Sequence, residues 1–320
     1  MKDTVLYIVV PVYKDADVIK VTCPLFLNQL FKMRDEGLIS DDSRILFVDD
    51  GSGDDSWDTI KMLVDKDPHV KGICLSRNRG HQNAVVAGLM EAKDHCDVTI
   101  TIDDDGQDDI GAMREMLIEY GKGCEIVYGV RKKRDTDTFM KRFTAQTYYK
   151  ILNLLGADVI YNHADYRLVS SRALEEFQNF HEVNLFLRGL FPMVGFKSAC
   201  VYYDRHERMA GEGHYTISKM FGLAFDGVTS LSVKPIKIIT WFGFVVAVLS
   251  FILLIYSIIV HFVQSTPQGW ASTACLICFL SGMQMISIGV IGEYIGKIYL
   301  ETKQRPRYII SERYEQDQKN

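Results

Sequence analysis

The sequence has little excess charge of either sign. Lys and Arg total 36 and Asp and Glu total 41, which gives a formal net charge of −5. Nucleic acids are bound by basic surfaces, so this mildly acidic balance predicts no nucleic-acid partner. With 48% hydrophobic residues in a chain of 320, a wholly disordered protein is also excluded. We expect one substantial globular domain and a smaller additional part.

Cysteine is scarce, and several familiar signals are missing. The seven cysteines are scattered, mostly in apolar runs, as is typical of a reducing, cytosolic setting. The pair Cys275 and Cys278 has the spacing of a metal site, but it lies in the apolar run ACLICFL with no second pair, which favours packing. The N-terminal run MKDTVLYIVVPVY lacks a basic segment before a cleavable apolar core. It therefore predicts a first strand and no signal peptide.

Two phosphate-binding motifs and one calcium motif are also absent. No GxGxxG follows the first predicted strand and no GxxxxGK[ST] occurs, so neither a dinucleotide fold nor a P-loop is supported. The stretch TIDDDGQDD, residues 101–109, places five carboxylates within nine residues. An EF-hand alignment on Gly106 puts Thr101 at the first ligand position and Ala112 where a glutamate is needed. Composition leaves two readings open, a solvated acidic loop or a cation site.

Apolar, β-rich runs alternate with helix-like segments in the first part of the chain. The runs are TVLYIVVPVY, RILFVDD, VKGICLS, DVTITIDDD and EIVYGV. This order predicts an α/β domain with a largely parallel sheet, in which ligands bind beyond the carboxyl ends of the strands. Polar residues follow four of these runs, at 49–52, 76–78, 103–105 and 129–131. Asp-Gly-Ser is also a common turn, but Asp103 and Asp105 could both face one ion, and oxygen ligands suit Mg²⁺ or Mn²⁺.

Two long uncharged runs near the C-terminus predict a membrane anchor. Residues 238–260 and 270–292 contain no charged side chain, and each is long enough as a helix to cross a hydrocarbon core of roughly 30 Å. The link 261–269 carries no Lys or Arg, whereas basic residues flank the outer ends: Lys234, Lys237, Lys297, Lys303, Arg305 and Arg307. The positive-inside rule then places both outer ends in the cytoplasm. A pair of buried helices in a soluble protein is the alternative.

These signals divide the chain into four parts. We predict a cytoplasmic globular domain at 1–210, a juxtamembrane segment at 211–235, two transmembrane helices within 236–298 and a cytoplasmic tail at 299–320. Apolar residues in the juxtamembrane segment recur at helical spacing from Ile217 to Leu231. This segment would lie in the membrane interface or form an ordinary core helix.

Seven motifs, in order, carry a family resemblance: PVYKDAD (11–17), VDDGSGDDS (48–56), LSRNRGHQNAVVAG (75–88), DDDGQDD (103–109), GVR (129–131), ADYRLVSSRAL (164–174) and RMAGEGHY (208–215). The chain resembles family-2 glycosyltransferases with the glycosyltransferase-A fold, a Rossmann-like α/β domain, and this resemblance implies that residues 1–210 form the catalytic domain. With its two terminal spans and the tail ETKQRPRYII (301–310), it more narrowly resembles bacterial polyprenyl-phosphate (undecaprenyl-phosphate) glycosyltransferases related to dolichol-phosphate mannose synthase.

The resemblance implies a role for named positions. The residues implied to bind the nucleotide sugar are Pro11, Tyr13, Asp15, Asp49, Asp50, Arg77 and Gly80. Those at the D-x-D-x-Q positions, implied to hold Mg²⁺ or Mn²⁺ on the diphosphate, are Asp103, Asp105 and Gln107. Those implied to face donor or lipid phosphate are Arg131, Arg142, Arg208 and His214. Asp165 matches the proposed catalytic base, and Arg167 is its neighbour in the same motif.

Two positions depart from the family pattern. Gly106 stands where an aliphatic residue is usual, and Gly213-His214-Tyr215 stands where Ser-Lys-Tyr is usual. A histidine is only partly protonated near neutral pH, so the loss of the lysine weakens the implied phosphate role at this site.

The implied reaction is inverting transfer of a hexose to undecaprenyl phosphate at the cytoplasmic face of a bacterial inner membrane. The donor would be UDP-glucose or UDP-N-acetylglucosamine, and the product a β-linked lipid-phosphate sugar for cell-envelope glycans. The resemblance also implies membrane lipid, a homotetramer and a downstream flippase as partners. Two alternatives stay open: a catalytically degenerate membrane scaffold of the same fold, and a processive polysaccharide synthase, although the Gln-x-x-Arg-Trp motif of such synthases is absent.

Overall fold

The computed structural model describes residues 3–132, 163–182, 185–205, 234–263 and 269–316. The strands are β1 (Leu6–Val12), β2 (Arg44–Asp49), β3 (Val70–Leu75), β4 (Val98–Thr101), β5 (Ile126–Arg131), β6 (His163–Ser170), β7 (Ser198–Tyr203) and β8 (Ile310–Tyr314). The helices are α1 (Ala16–Asp35), α2 (Ser56–Lys66), α3 (His81–Ala92), α4 (Ala112–Gly121), α5 (Ser171–Phe177), α6 (Leu187–Met193), α7 (Lys234–Val263) and α8 (Trp270–Thr302).

The eight strands of the described residues belong to one sheet, in the order β7-β5-β6-β4-β1-β2-β3-β8. β1 pairs in parallel with β2 and β4, β2 with β3, and β5 with β7. The predicted α/β fold with a largely parallel sheet is therefore confirmed. β6 is antiparallel to both β4 and β5, and it brings the residues that follow the 133–162 segment next to the end of β4.

The sheet is covered on both faces, as parallel strands require. Alternate side chains of β1 enter different cores: Ile8 and Val10 pack in one, and Tyr7 and Val9 pack in the other. Helix α3 lies close to β1 because Gly88 has no side chain. A Cβ there would lie 2.4 Å from Cγ1 of Val9. Close packing of α3 fixes the position of its first turn, which reaches the candidate site.

The end of the chain returns to the sheet. The segment predicted as a tail, 299–320, contains β8, which is antiparallel to β3 and forms an edge of the sheet. Its side chains are bonded to the domain: Trp57 Nε1 donates to Glu312 at 2.9 Å, and Arg313 Nε lies 2.6 Å from Glu91 Oε1. The sequence signal for this strand was weak because β8 is short and carries three charged or polar residues, as edge strands often do.

Helices α7 and α8 cover the two predicted spans and contact each other. They have 30 and 33 residues, and many of their large apolar side chains are exposed, among them Trp241, Phe251, Met285 and Ile286. Counting only the residues that the structure describes, no helix is both long and apolar enough to cross a membrane. The membrane anchor thus stays a prediction, and most of the juxtamembrane segment, residues 211–233, lies outside the described residues.

Candidate active site

The two aspartates at the end of β2 accept hydrogen bonds from backbone N–H groups of the neighbouring loops. Asp49 accepts hydrogen bonds from Ser52, from Oγ at 2.5 Å and from N at 3.2 Å. Asp50 accepts from the backbone N of Arg79 at 2.7 Å and of Gly80 at 2.9 Å. Both carboxylates are almost fully buried, and burial raises the pKa of Asp50 although the two N–H groups lower it. Asp49 and Asp50 therefore shape the loops of the predicted nucleotide site, and any contact of theirs with the nucleotide stays a prediction.

The turn after β2 also packs directly on the loop after β3. Gly51 adopts a φ of +60°, and a Cβ there would lie 2.4 Å from the carbonyl carbon of Arg77. Only glycine allows both that backbone angle and that close approach. The Arg77 residue itself is exposed, and Gly80, with a φ of +86°, caps the start of α3.

The other predicted nucleotide residues lie at the carboxyl end of β1. Pro11 is buried within β1, Tyr13 is exposed beyond it, and Asp15 is the N-cap residue of α1. The backbone N of Lys14 donates to Ser52 Oγ at 3.0 Å, which joins this end of β1 to the turn after β2. The sheet thus brings together three strand ends that are far apart in sequence.

The five aspartates of the 101–109 stretch separate by burial. Asp103 and Asp105 are half-buried, as is Gln107, whereas Asp104 and Asp108 are buried. This alternation turns the predicted metal ligands towards solvent and the intervening residues inward. Between Asp105 and Gln107, the backbone of Gly106 lies in the left-handed region, with a φ of +67°. That backbone angle is costly for other residues, and it gives a physical reason for glycine at this unusual position.

Asp108 lies before helix α4 and pairs with side chains of two strands. Helix α4 begins at Ala112, and Asp109 accepts from the backbone N of Gly111 at 2.9 Å just before it. Asp108 instead accepts from Tyr203 Oη at 2.7 Å and pairs with Arg131 Nη2 at 3.0 Å. A buried carboxylate needs such partners. Arg131, predicted to face phosphate, is engaged in this pair in the structure.

Asp165, the predicted base, lies near the start of β6 between two arginines. Its Oδ1 is 2.6 Å from Arg167 Nη2, and its Oδ2 is 3.0 Å from Arg188 Nη2. Burial raises the pKa of Asp165, but the guanidinium groups of Arg188 and Arg167 outweigh it and hold the pKa well below its usual range. Asp165 is consequently an ionised carboxylate at neutral pH and a weak proton acceptor.

His81 links Asp165 to the end of β4. Its Nε2 lies 3.7 Å from Asp103 Oδ1 and 3.9 Å from Asp165 Oδ2. Three residues from distant parts of the chain, one after β4, one in β6 and one opening α3, therefore surround one point at the carboxyl edge of the sheet. The predicted Arg142, Arg208 and His214 lie outside the described residues.

Comparison with known proteins gives the same assignment for the first part of the chain. Residues 7–177 match the family described as Glycosyl transferase family 2, and residues 234–298 match the GtrB C-terminal hairpin. The chain belongs to glycosyl transferase family 2. It is 49% identical over 306 residues to the uncharacterized glycosyltransferase YkoT of Bacillus subtilis, covering 96% of this chain and 91% of that protein.

Another relative carries a more specific name. The chain is 38% identical over 310 residues to the bactoprenol glucosyl transferase of Shigella phage SfX, covering 96% of this chain and 98% of that protein. Among solved structures, mannosyl-3-phosphoglycerate synthase from Rubrobacter xylanophilus is similar with a TM-score of 0.47 and 14% identity, covering 70% of this chain and 72% of that one.

Two residues of this family-2 site were not singled out from the sequence. His81 stands inside the motif LSRNRGHQNAVVAG, but nothing in that motif shows that it faces two carboxylates. Arg188 lies in the short helix α6, in the run FLRGL, with no local signal at all. Both reach Asp165 only through the packing of α3 and α6 against the sheet.

The donor atoms of this site suit a hard divalent cation. Within the described part of the chain, no group of three or more His, Cys, Asp or Glu side chains is arranged to hold a metal ion. Mg²⁺, however, usually binds through one or two carboxylates together with substrate phosphates. Asp103 and Asp105 offer such oxygen atoms, half exposed at the strand end. Gln107, the third predicted ligand, accepts a hydrogen bond from Arg205 in the structure.

Proposed function

We propose that this family-2 glycosyltransferase transfers glucose from UDP-glucose to undecaprenyl phosphate, with inversion at the anomeric carbon. The observation that carries the proposal is the meeting of Asp103, His81 and Asp165 at the carboxyl edge of the sheet, within 3.9 Å of one imidazole nitrogen. The substrate class is supported by the relative named bactoprenol glucosyl transferase, which matches the chain over nearly its whole length.

Asp103 and Asp105 would hold the cation and, through it, the donor diphosphate. When bound, Mg²⁺ or Mn²⁺ supplies positive charge that stabilises the leaving diphosphate. The chain's own contribution is to fix the two carboxylates: Asp105 Oδ1 accepts from the backbone N of Gln107 at 3.1 Å, and Asp103 faces His81.

Asp165 would orient the acceptor side of the reaction without taking a proton. A phosphate ester has a second pKa of about 6, so the nucleophilic oxygen of the lipid phosphate is already ionised at neutral pH. The low pKa of Asp165 matches that requirement, because this carboxylate has no useful affinity for a proton. Its charge instead holds Arg188, whose side chain is one-third exposed and would contact the lipid phosphate. The lipid phosphate oxygen would form a bond to the anomeric carbon as the bond to UDP breaks.

The acceptor's long isoprenoid tail explains the proposed membrane anchor. Helices α7 and α8 expose many large apolar side chains, which suits contact with lipid. The basic residues that flank the outer ends of the two uncharged runs favour a cytoplasmic location for both termini and the catalytic domain, in a bacterial inner membrane. A homotetramer and a downstream flippase, implied by the family resemblance, belong to the same proposal.

The test is transfer of label to lipid. Purified full-length protein is incubated with undecaprenyl phosphate, Mg²⁺ or Mn²⁺, and labelled UDP-glucose, UDP-N-acetylglucosamine or UDP-galactose in parallel, and the lipid is extracted. We expect label from UDP-glucose alone, a β linkage by NMR, and loss of label with a chelator or in Asp165→Asn. Label from another donor would overturn the glucose assignment. Donor binding without label in any reaction would favour the membrane scaffold, and a polymeric product would favour the processive synthase.

A further inference from the structure

Arg79 joins the candidate site to the end of the chain. Its Nε donates to the carbonyl of Arg307 at 2.6 Å, and its Nη2 donates to the carbonyl of Pro306 at 2.8 Å. Its own backbone N donates to Asp50 Oδ1 at 2.7 Å. One residue thus contacts the turn after β2 through its backbone and the C-terminal segment through its side chain, across more than 200 residues of sequence.

The C-terminal segment that Arg79 contacts is itself fixed to the domain. We call residues 303–309, between α8 and β8, the strap. The carbonyl of Ile309 accepts from the backbone N of Ser76 at 2.9 Å, and the Arg307 guanidinium donates to the carbonyl of Phe180. Tyr308 packs against the core beneath α3. The loop 76–80 is therefore bonded to the strap near both of its ends, at Ser76 and at Arg79.

The loop 76–80 leads directly into the site. Gly80 is in the left-handed region, and the next residue, His81, opens α3 beside Asp103 and Asp165. A shift of this loop would move the imidazole, because no residue separates the hinge-like glycine from it. The Arg79 side chain is bonded to the strap and not to Asp103 or Asp165, so its effect on the site must pass through the loop.

We propose that Arg79 is a positioning residue, which holds the loop 76–80 against the strap and so sets His81 and the donor site in place. Charged donors form stronger hydrogen bonds to carbonyls than neutral ones, and here two of them fix one loop. The strap follows α8 without a break, so the same contact joins the second long helix to the donor site. The kinetic part of this proposal rests on the proposed function.

The test separates donor binding from turnover. In Arg79→Gln we expect the KM for the nucleotide sugar to rise about tenfold while kcat changes by less than about threefold. Arg79→Lys keeps one charged donor and should recover part of the loss. Hydrogen exchange of the Arg79 and Gly80 amides should become faster in Arg79→Gln, because their bonds to Asp50 depend on the loop position. A purely structural role would instead lower the melting temperature and leave the KM unchanged.

The matched control is Arg313→Gln. Arg313 also joins the C-terminal segment to the domain, through Glu91, but it does not touch the loop 76–80. We expect parental KM and parental loop exchange in this variant. Arg307→Ala removes the hydrogen bond from the strap to Phe180 and should also raise the KM. Its effect and that of Arg79→Gln should not be additive, since both substitutions weaken the link between the loop 76–80 and the domain through the strap.

Two results would overturn the proposal: parental KM and exchange in Arg79→Gln, or an equal rise of KM in Arg313→Gln. If the parent protein labels no lipid, the proposed function fails, and the exchange measurement with Arg79→Gln still decides whether the side chain holds the loop.

Discussion

Aspartates lie at the carboxyl ends of β2 and β4, the two strands next to β1, yet the two groups of aspartates differ in their hydrogen-bond partners. At the end of β2, Asp49 and Asp50 are buried and accept hydrogen bonds from Ser52, Arg79 and Gly80. After β4, Asp103 is half exposed and faces His81 at 3.7 Å. The same residue type at the same edge of one sheet thus holds loops in one place and is open to a ligand in the other. Hydrogen-bond partners and burial, more than residue type, therefore distinguish an aspartate that holds a loop from one that is open to a ligand.

The comparison predicts the largest loss of activity at Asp103. In Asp103→Asn, kcat for lipid labelling should fall about 1,000-fold, because the donor diphosphate loses a carboxylate that would hold its cation. The melting temperature should change little, since Asp103 is half exposed. Asp109→Asn, in the same acidic stretch, is the control and should keep the parental rate. Near-parental turnover in Asp103→Asn would remove the distinction between the two groups of aspartates.

The second prediction concerns Arg188, which contacts Asp165 with two nitrogen atoms. Arg188→Gln should lower kcat about 100-fold, because Asp165 loses its partner and the acceptor phosphate loses the guanidinium that we propose contacts it. Arg172→Gln, which breaks an exposed pair with Glu125, should have the parental rate. An equal loss in both variants would show that the effect is not local to the site.

Arg188→Gln should also change how stability depends on pH. The folded-state pKa of Asp165 lies below its ordinary value of about 4, so the ion pairs stabilise the protein above that pH and lose their effect as the pH falls through the folded-state pKa. The difference in melting temperature between parent and Arg188→Gln should therefore be present at pH 7 and shrink below about pH 4. A difference that is independent of pH would mean that packing, rather than charge, accounts for the contact.

The sequence predicted the fold and the ends of the strands, because apolar runs and the turns after them are local features. The family motifs predicted that Asp103 is a metal ligand and that Asp165 is a catalytic residue. The partner of Asp49, Ser52, is close in sequence. The partners of Asp108 could not be predicted, because Arg131 and Tyr203 reach it from other strands. His81, Arg188 and the strand β8 were missed for the same reason: their partners are set by tertiary packing.

The smallest predicted effect is on stability at Asp49. In Asp49→Ala, Ser52 loses the acceptor for both its hydroxyl and its backbone N–H, in a buried turn. Leaving such groups without a partner should lower the free energy of unfolding by about 2 kcal/mol, measured by urea unfolding in detergent. Asp58→Ala, which removes only an exposed pair with Lys61, should change it by less than about 0.5 kcal/mol. If Asp49→Ala were as stable as Asp58→Ala but lost donor binding, Asp49 would belong with Asp103 as a ligand-binding residue. The turn after β2 would then be part of the donor site itself and not only its support.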